Sequence, residues 1–375
     1  MPITFLLGIA GVAATFNQRL LDPLTLVVAN GLAVDPDLIV LLAPALALPF
    51  ALGQPFFGPL GDAWGKAFMV KLCVVLLAFS AIGAALAPSY PVLFAMRMLT
   101  GVAAGGIIPA SIALIADRYP VELRQVAMSR FMTLMMIGQM VTSPVSALIA
   151  EATNWRTVLL VAGAMAVLAI VVVQVKLPAS NAAERKPLSL SGALTTYRTL
   201  LTNPRARICY ATVFIEGVFL FGYTPHVALY LESMRFGGAR EAGLVLAASG
   251  VGGIVFAMIV GPLTRRFSRH QMMRGGGVCI ALGHGFIPLA WTWPAVMVGT
   301  ALVGFGFYLL HSGLQTEATE LMPSARASAV SLHAGFMFIG MAFGPVVFGW
   351  MQDLLSWRAA FWICSAVMLF AGLAA

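Results

Sequence analysis

GPLGDAWGK, residues 58–66, returns 203 positions later as GPLTRRFSR, residues 261–269. Working outward in nearly the same register, Gly101 meets Gly304, and ADRYPVELRQVA from 116 meets TELMPSARASA from 319. Pro144 in GQMVTSPVSA answers Pro345 in GMAFGPVVFG, and Asn154-Trp155-Arg156 answers Ser356-Trp357-Arg358. Landmarks that agree at one spacing along the whole chain mark a duplication, and the period is far too long for a solenoid repeat.

Composition decides the solvent around the two copies. The 375 residues are 60% hydrophobic and only 10% charged, against roughly 25% charged in a soluble domain. Mean hydropathy is +0.94. Apolar runs of about 20 residues, long enough to cross a hydrocarbon core of about 30 Å, recur from end to end. Breaking them at Pro, Gly and charge clusters predicts twelve helices, at 4–29, 37–57, 67–87, 91–116, 126–150, 155–175, 207–231, 242–263, 273–291, 295–318, 328–351 and 357–374. The fold class is therefore all-α integral membrane, with twelve transmembrane helices in two pseudo-symmetric six-helix bundles. The bundles occupy 1–175 and 207–375, and a polar cytoplasmic linker, 176–206, carries a short interfacial helix near 190–202.

The formal charge of +8 does not point to nucleic acid, because the basic residues are not gathered on one soluble face. Most lie instead in the loops of one side, including Lys66, Lys71, Arg118, Arg124, Arg130, the linker cluster and Arg265 to Arg274, while Arg156, Arg235, Arg240 and Arg358 fall on the other and Arg19 and Arg97 within spans. That side is expected to be cytoplasmic, with both termini on it. The first segment lacks the flanks of a removable signal peptide, and the end of the chain inside the last span predicts a short tail or none. Cys73, Cys209, Cys279 and Cys364 sit in apolar runs without metal or redox spacing and read as small hydrophobic filler.

Charged side chains inside spans are costly and face partners or wet cavities. Arg19 and Asp22 in FNQRLLDPL, residues 16–24, share a helical face. Arg97 falls at a similar depth on the fourth span and is expected to meet Asp22. The three read as an ion cluster able to exchange a proton or hold an anionic substrate group. Glu216 on the seventh span and His311 on the tenth are the second bundle's candidates for proton coupling. Gln139, Tyr223, His226 and Gln315 are weaker cavity candidates, and His284 and His333 read as structural. The methionines of MSRFMTLMMIGQM, residues 128–140, read as packing.

With these residues laid out, Gly58-Pro59-Leu60-Gly61-Asp62-Ala63-Trp64-Gly65-Lys66 resembles the signature loop of the major facilitator superfamily, Gly-x-Leu-x-Asp-Arg-x-Gly-Arg/Lys, between helices 2 and 3. Ala63 departs from it, standing where the pattern has a basic residue. Arg97 with Gly101 resembles the second motif, and Asp117, Pro120 and Arg124 the loop that follows. The resemblance covers essentially the whole chain. It implies a cytoplasmic gate network through Gly58, Asp62, Gly65, Lys66 and Arg124, and a likeness to bacterial twelve-helix drug and metabolite:proton antiporters. Ser143 before Pro144 weakens the antiporter motif of helix 5. The resulting expectation is a monomeric secondary transporter in a bacterial inner membrane. It exports small amphipathic compounds by alternating access, exchanges them for protons, and needs no cofactor or metal. The alternative is proton-coupled uptake of a small organic anion, favoured by Arg19 and Arg97. His-x-x-x-His, His-Glu-x-x-His and Gly-x-Ser-x-Gly are all missing, so an intramembrane enzyme is not expected. A nucleotide-binding loop is missing as well.

Overall fold

A computed structural model describes residues 3–177 and 190–375, with the backbone alone at Asp62 and at several helix-end positions. The first part of the linker thus lies outside the described residues. The first bundle comprises α1 (Ile3–Arg19), α2 (Thr25–Leu32), α3 (Pro36–Val40), α4 (Leu42–Trp64), α5 (Lys66–Ala85), α6 (Tyr90–Arg118), α7 (Val121–Ala152) and α8 (Trp155–Lys176). The expected interfacial helix is α9 (Leu190–Thr202). The second bundle follows as α10 (Pro204–Phe221), α11 (Val227–Ser233), α12 (Ala239–Arg266), α13 (Arg269–Phe286), α14 (Trp293–Glu320), α15 (Arg326–Leu354) and α16 (Trp357–Ala374).

Among the described residues, 11 helical segments are long and apolar enough to span a membrane. The segment expected at 273–291 is not one of them. It is helical as α13, but Arg269, Arg274 and three consecutive glycines, Gly275 to Gly277, lower its hydropathy. Those glycines serve packing: a side chain at Gly276 would strike Gly306 and Leu310 of α14, and one at Gly277 would strike Gly372 of α16. Lipid tails are as apolar as a helix face, so close van der Waals approach has to supply the association.

The span expected at 37–57 is interrupted at Leu41, between α3 and α4, and two others are broken by a 3-10 turn. The first stops at Arg19, turns through a 3-10 segment at Asp22–Leu24 and resumes as α2; the seventh does the same at Thr224–His226 before α11. Each of these two breaks carries a proline in its 3-10 turn, Pro23 and Pro225. Proline has no N–H to donate and crowds the preceding turn, which weakens the helix at these two points, although Pro49, Pro55 and Pro59 are carried inside the unbroken α4.

The duplication recurs as matched contacts. A side chain at Gly101 of α6 would meet the Leu46 carbonyl of α4, and one at Gly304 of α14 would meet the Ser249 carbonyl of α12. Lys66 pairs with Asp117 at 2.7 Å, and Arg269 with Glu320 at 2.9 Å. In each case the second set stands 203 positions after the first. The bundles meet where α4 packs on α15 and α7 on α12, and where the two broken turns touch.

The α4–α5 reversal is a single residue, Gly65, at φ 98° and ψ 128°. Gly58, expected in the loop between the second and third spans, lies inside α4 with open space around it. We predict that Gly65→Ala costs about 1–3 kcal/mol, because a Cβ is strained in that backbone region. Thermal unfolding in detergent, with Gly58→Ala as control, measures it.

Candidate functional site

The C-terminal end of α1 is where the first functional side chains gather. A helix ends with carbonyls that have no partner within the helix. Here the break leaves them inside the bundle. Arg97 of α6 answers them, donating from Nη1 to Asn17 O at 2.7 Å and from Nη2 to Gln18 O at 3.2 Å. The cation also complements the negative end of the helix dipole. The expected cluster of Arg19, Asp22 and Arg97 does gather, with its contacts divided: Arg97, 1% exposed, gives its hydrogen bonds to backbone and stands close enough to Asp22 for their charges to interact, while the direct ion pair of Asp22 is with Arg19.

Arg19 holds no short contact. Its Nη1 lies 3.4 Å from Asp22 Oδ2 and 3.4 Å from Thr224 Oγ1 of the second bundle. Its guanidinium sits 4.3 Å over the Phe221 ring, a cation–π arrangement. Beside it Thr25 donates to Pro225 O at 2.7 Å. The two broken turns are thus joined across the bundle interface.

The Arg19–Asp22 pair lines two cavities. The larger, about 720 Å³ including its open mouth, is walled by Met136, Gln139 and Met140 of α7, Phe221 and Tyr223, and Phe307 and Tyr308 of α14. The smaller, about 370 Å³, lies against α4 and α15 and includes Gln18, Phe338 and Met341. Gln139 and Tyr223 therefore reach the cavity as expected. Met136 and Met140, expected as packing, do so as well. His226 and Gln315 do not line either cavity. His226 is buried and its Nε2 is 2.9 Å from Pro345 O, while Gln315 is exposed.

Glu216 and His311 come together although 95 residues separate them: Glu216 Oε2 and His311 Nδ1 are 2.7 Å apart, with the carboxylate fully buried. His333, expected as structural, joins them with its ring centroid 5.1 Å from that of His311. A chain of rings runs from here to Arg19. His311 stacks on Phe307 at 4.8 Å, and Phe307 meets Phe221 at 5.4 Å. No local pattern could have paired Glu216 with His311; the prolines at matching places in FNQRLLDPL and FLFGYTPHV are the local sign of the twin breaks, but both spans were read as single helices, and prolines inside unbroken α4 show that the sign is not specific.

At the linker end, Lys66 opens α5 and pairs with Asp117, which closes α6. Arg124, expected in the gate with Asp62, donates from Nε to Tyr119 O at 3.0 Å. The Asp62 side chain lies outside the described residues. In the second bundle Arg205 and Arg269 together hold Glu317 and Glu320.

Two duplicated helical bundles closing on a cavity that holds a buried ion pair define the frame of a multi-pass membrane protein. A family model of the Major Facilitator Superfamily matches residues 7–324 and 236–375. The chain belongs to that superfamily. It is 24% identical over 323 residues to the multi-drug resistance efflux pump PmrA homolog of Lactococcus lactis subsp. lactis, a match covering 84% of this chain and 78% of that protein. Multidrug resistance protein 1 of Bacillus subtilis is 21% identical over 339 residues, covering 89% and 86%. Among solved structures, the nucleoside transporter NupG has a TM-score of 0.80 at 14% identity, covering 100% of this chain and 98% of that one. A D-xylose-proton symporter has a TM-score of 0.80 at 16% identity, covering 99% and 96%. At such identities the structural likeness speaks for the fold alone.

Proposed function

We propose that the chain exports small amphipathic organic compounds in exchange for protons, by alternating access in a bacterial cytoplasmic membrane. The observation that carries this reading is the larger cavity. It combines one carboxylate, Asp22, with a wall of methionine and aromatic side chains. Thioethers adapt to varied shapes, and the rings supply flat apolar area. A compound entering here competes with Arg19 for the faces of Asp22 and Phe221, and a proton on Asp22 releases Arg19 in the same way. The efflux-pump names of the curated relatives favour the outward direction. Basic residues gathered at the linker end favour a cytoplasmic linker and cytoplasmic termini. Residues 1–175 and 207–375 act as the rocking units, working as a monomer, with the Lys66–Asp117 pair and Asp62 at the inner gate. The anion-uptake reading needs two free arginines at the cavity. Arg97 is committed to the carbonyls of α1, which leaves Arg19 alone and already paired.

The test uses inside-out vesicles acidified within and a pH-sensitive dye, with a panel of organic cations, anions and neutral amphiphiles. Compound-dependent proton efflux that disappears in Asp22→Asn supports antiport. If no compound dissipates the gradient, while anions enter right-side-out vesicles together with protons, the uptake reading replaces it.

A further inference from the structure

The Glu216–His311 contact is one edge of a larger arrangement. Glu216 on α10 is fully buried, and its Oε1 has no hydrogen-bond partner. His333 on α15 is 2% exposed, and its Nε2 likewise has none. Both face the region of the His311 ring on α14, whose own side chain is 20% exposed. Other titratable groups on these helices are engaged elsewhere. Tyr210 donates to Ala329 O at 3.1 Å, Cys209 Sγ faces Leu314 O at 3.6 Å, Glu317 is held by Arg205 and Arg269, and Tyr308 lines the larger cavity. From α4, which packs on α15, the groups in contact with that helix are the uncharged Gln54 and Phe50, and from α13, which packs on α14, Arg269 is bound to Glu317 and Glu320.

Charge balance limits the states of this cluster. With one proton between Glu216 and His311 the pair is neutral overall, as carboxylate with imidazolium or as acid with imidazole. Without it, a full negative charge stands in an apolar interior with only neutral imidazoles to face it. An uncompensated buried charge is costly, so that state calls for water. His311 is the partly exposed member through which water arrives; Glu216 and His333 are sealed.

The helix that seals them also closes the bundle interface. On α15, two residues before His333, Ser331 Oγ donates to Gln54 O of α4 at 3.0 Å. Five residues after it, Phe338 stacks on Phe50 of α4 with centroids 3.7 Å apart. Wetting the carboxylate therefore disturbs the helix that carries the contact with the first bundle.

We propose that Glu216, His311 and His333 form one proton-holding site, with His333 as the positioning residue on the mobile helix, and that closure of α15 on α4 requires the site to carry its proton. Opening the seam releases one proton to water and reclosing takes one up; no other bond forms or breaks. The proposal rests on the carrier reading only in treating the seam as mobile. It needs no substrate.

The experiment places nitroxide labels at Trp64→Cys and Arg326→Cys, at the linker ends of α4 and α15, in the full chain in lipid nanodiscs with the four native cysteines replaced by Ser or Ala. Pulsed electron spin resonance then reads the ratio of closed to open distances against pH. One proton per closure predicts that the ratio falls about tenfold per pH unit across the titration of the site. Glu216→Gln removes the slope and keeps the seam closed at every pH. His333→Gln shifts or flattens the profile, and His333→Asn is the second variant should the first fail to fold. A flat profile in the parent, or an unchanged slope in Glu216→Gln, overturns the site. An unshifted profile in both His333 variants overturns the role of His333. Because the readout uses no transported compound, failure of the export reading leaves this slope in place, and the two failures are told apart.

Discussion

Asp22→Asn is expected to abolish proton-driven transport, with a loss of about a hundredfold or more, the scale seen when a proton-transferring group is removed. Asp22 is the acidic residue among the described cavity-lining residues, and its ion-pair partner, Arg19, is held by contacts no shorter than 3.4 Å. Asparagine fills the same space but cannot take or release a proton at working pH. Folding should survive, since Arg19 keeps Phe221 and Thr224 and the carbonyls of α1 are satisfied by Arg97 rather than by Asp22. Transport in proteoliposomes and thermal unfolding of the same preparation separate the two effects. Retained transport at parental rate would make the pair an element of packing, and a collapsed melting temperature would make it a stability element.

Gly101→Val should cost about 3 kcal/mol or more, as should its counterpart Gly304→Val. The added carbon would press on the Leu46 carbonyl and backbone in one bundle and on those of Ser249 in the other. A flexible side chain can swing away from such a contact, but a helix carbonyl already bonded within its own turn cannot. The two helices must then move apart along their length, losing van der Waals contact that lipid does not replace. Gly58→Val is the control, because nothing lies within 4 Å of a side chain there. Melting temperature and yield of folded protein measure all three, and a loss in the two crossing variants no larger than in the control would show that the crossings yield.

These outcomes depend on features that differ in how visible they are in the amino-acid order. Alternation of apolar runs with Gly, Pro and charge clusters is a local property, so the spans and the duplication could be read directly. The short helix expected at 190–202 appears as Leu190–Thr202 for the same reason. What could not be read is which buried polar groups face each other. Glu216 and His311 were both recognisable as misplaced in apolar helices, yet their 2.7 Å contact arises from the packing of α10 against α14. Arg97 could be placed at the depth of Asp22, but a helix break that exposes competing carbonyls was needed to say where its protons go. His333 was read as structural because its own helix gives no sign of the ring 5.1 Å away.

The twin proline breaks bear on mechanics. An unbroken helix is a stiff rod, and tilting one end tilts the other. α1 with α2, and α10 with α11, are each two rods joined at a knee, and the two knees touch through Thr25 and Pro225 at the level of the Arg19–Asp22 pair. A knee is the place where a span can bend, so α2 and α11 are the segments that could tilt while α1 and α10 keep their packing, and the contact between the knees would tie the two tilts together.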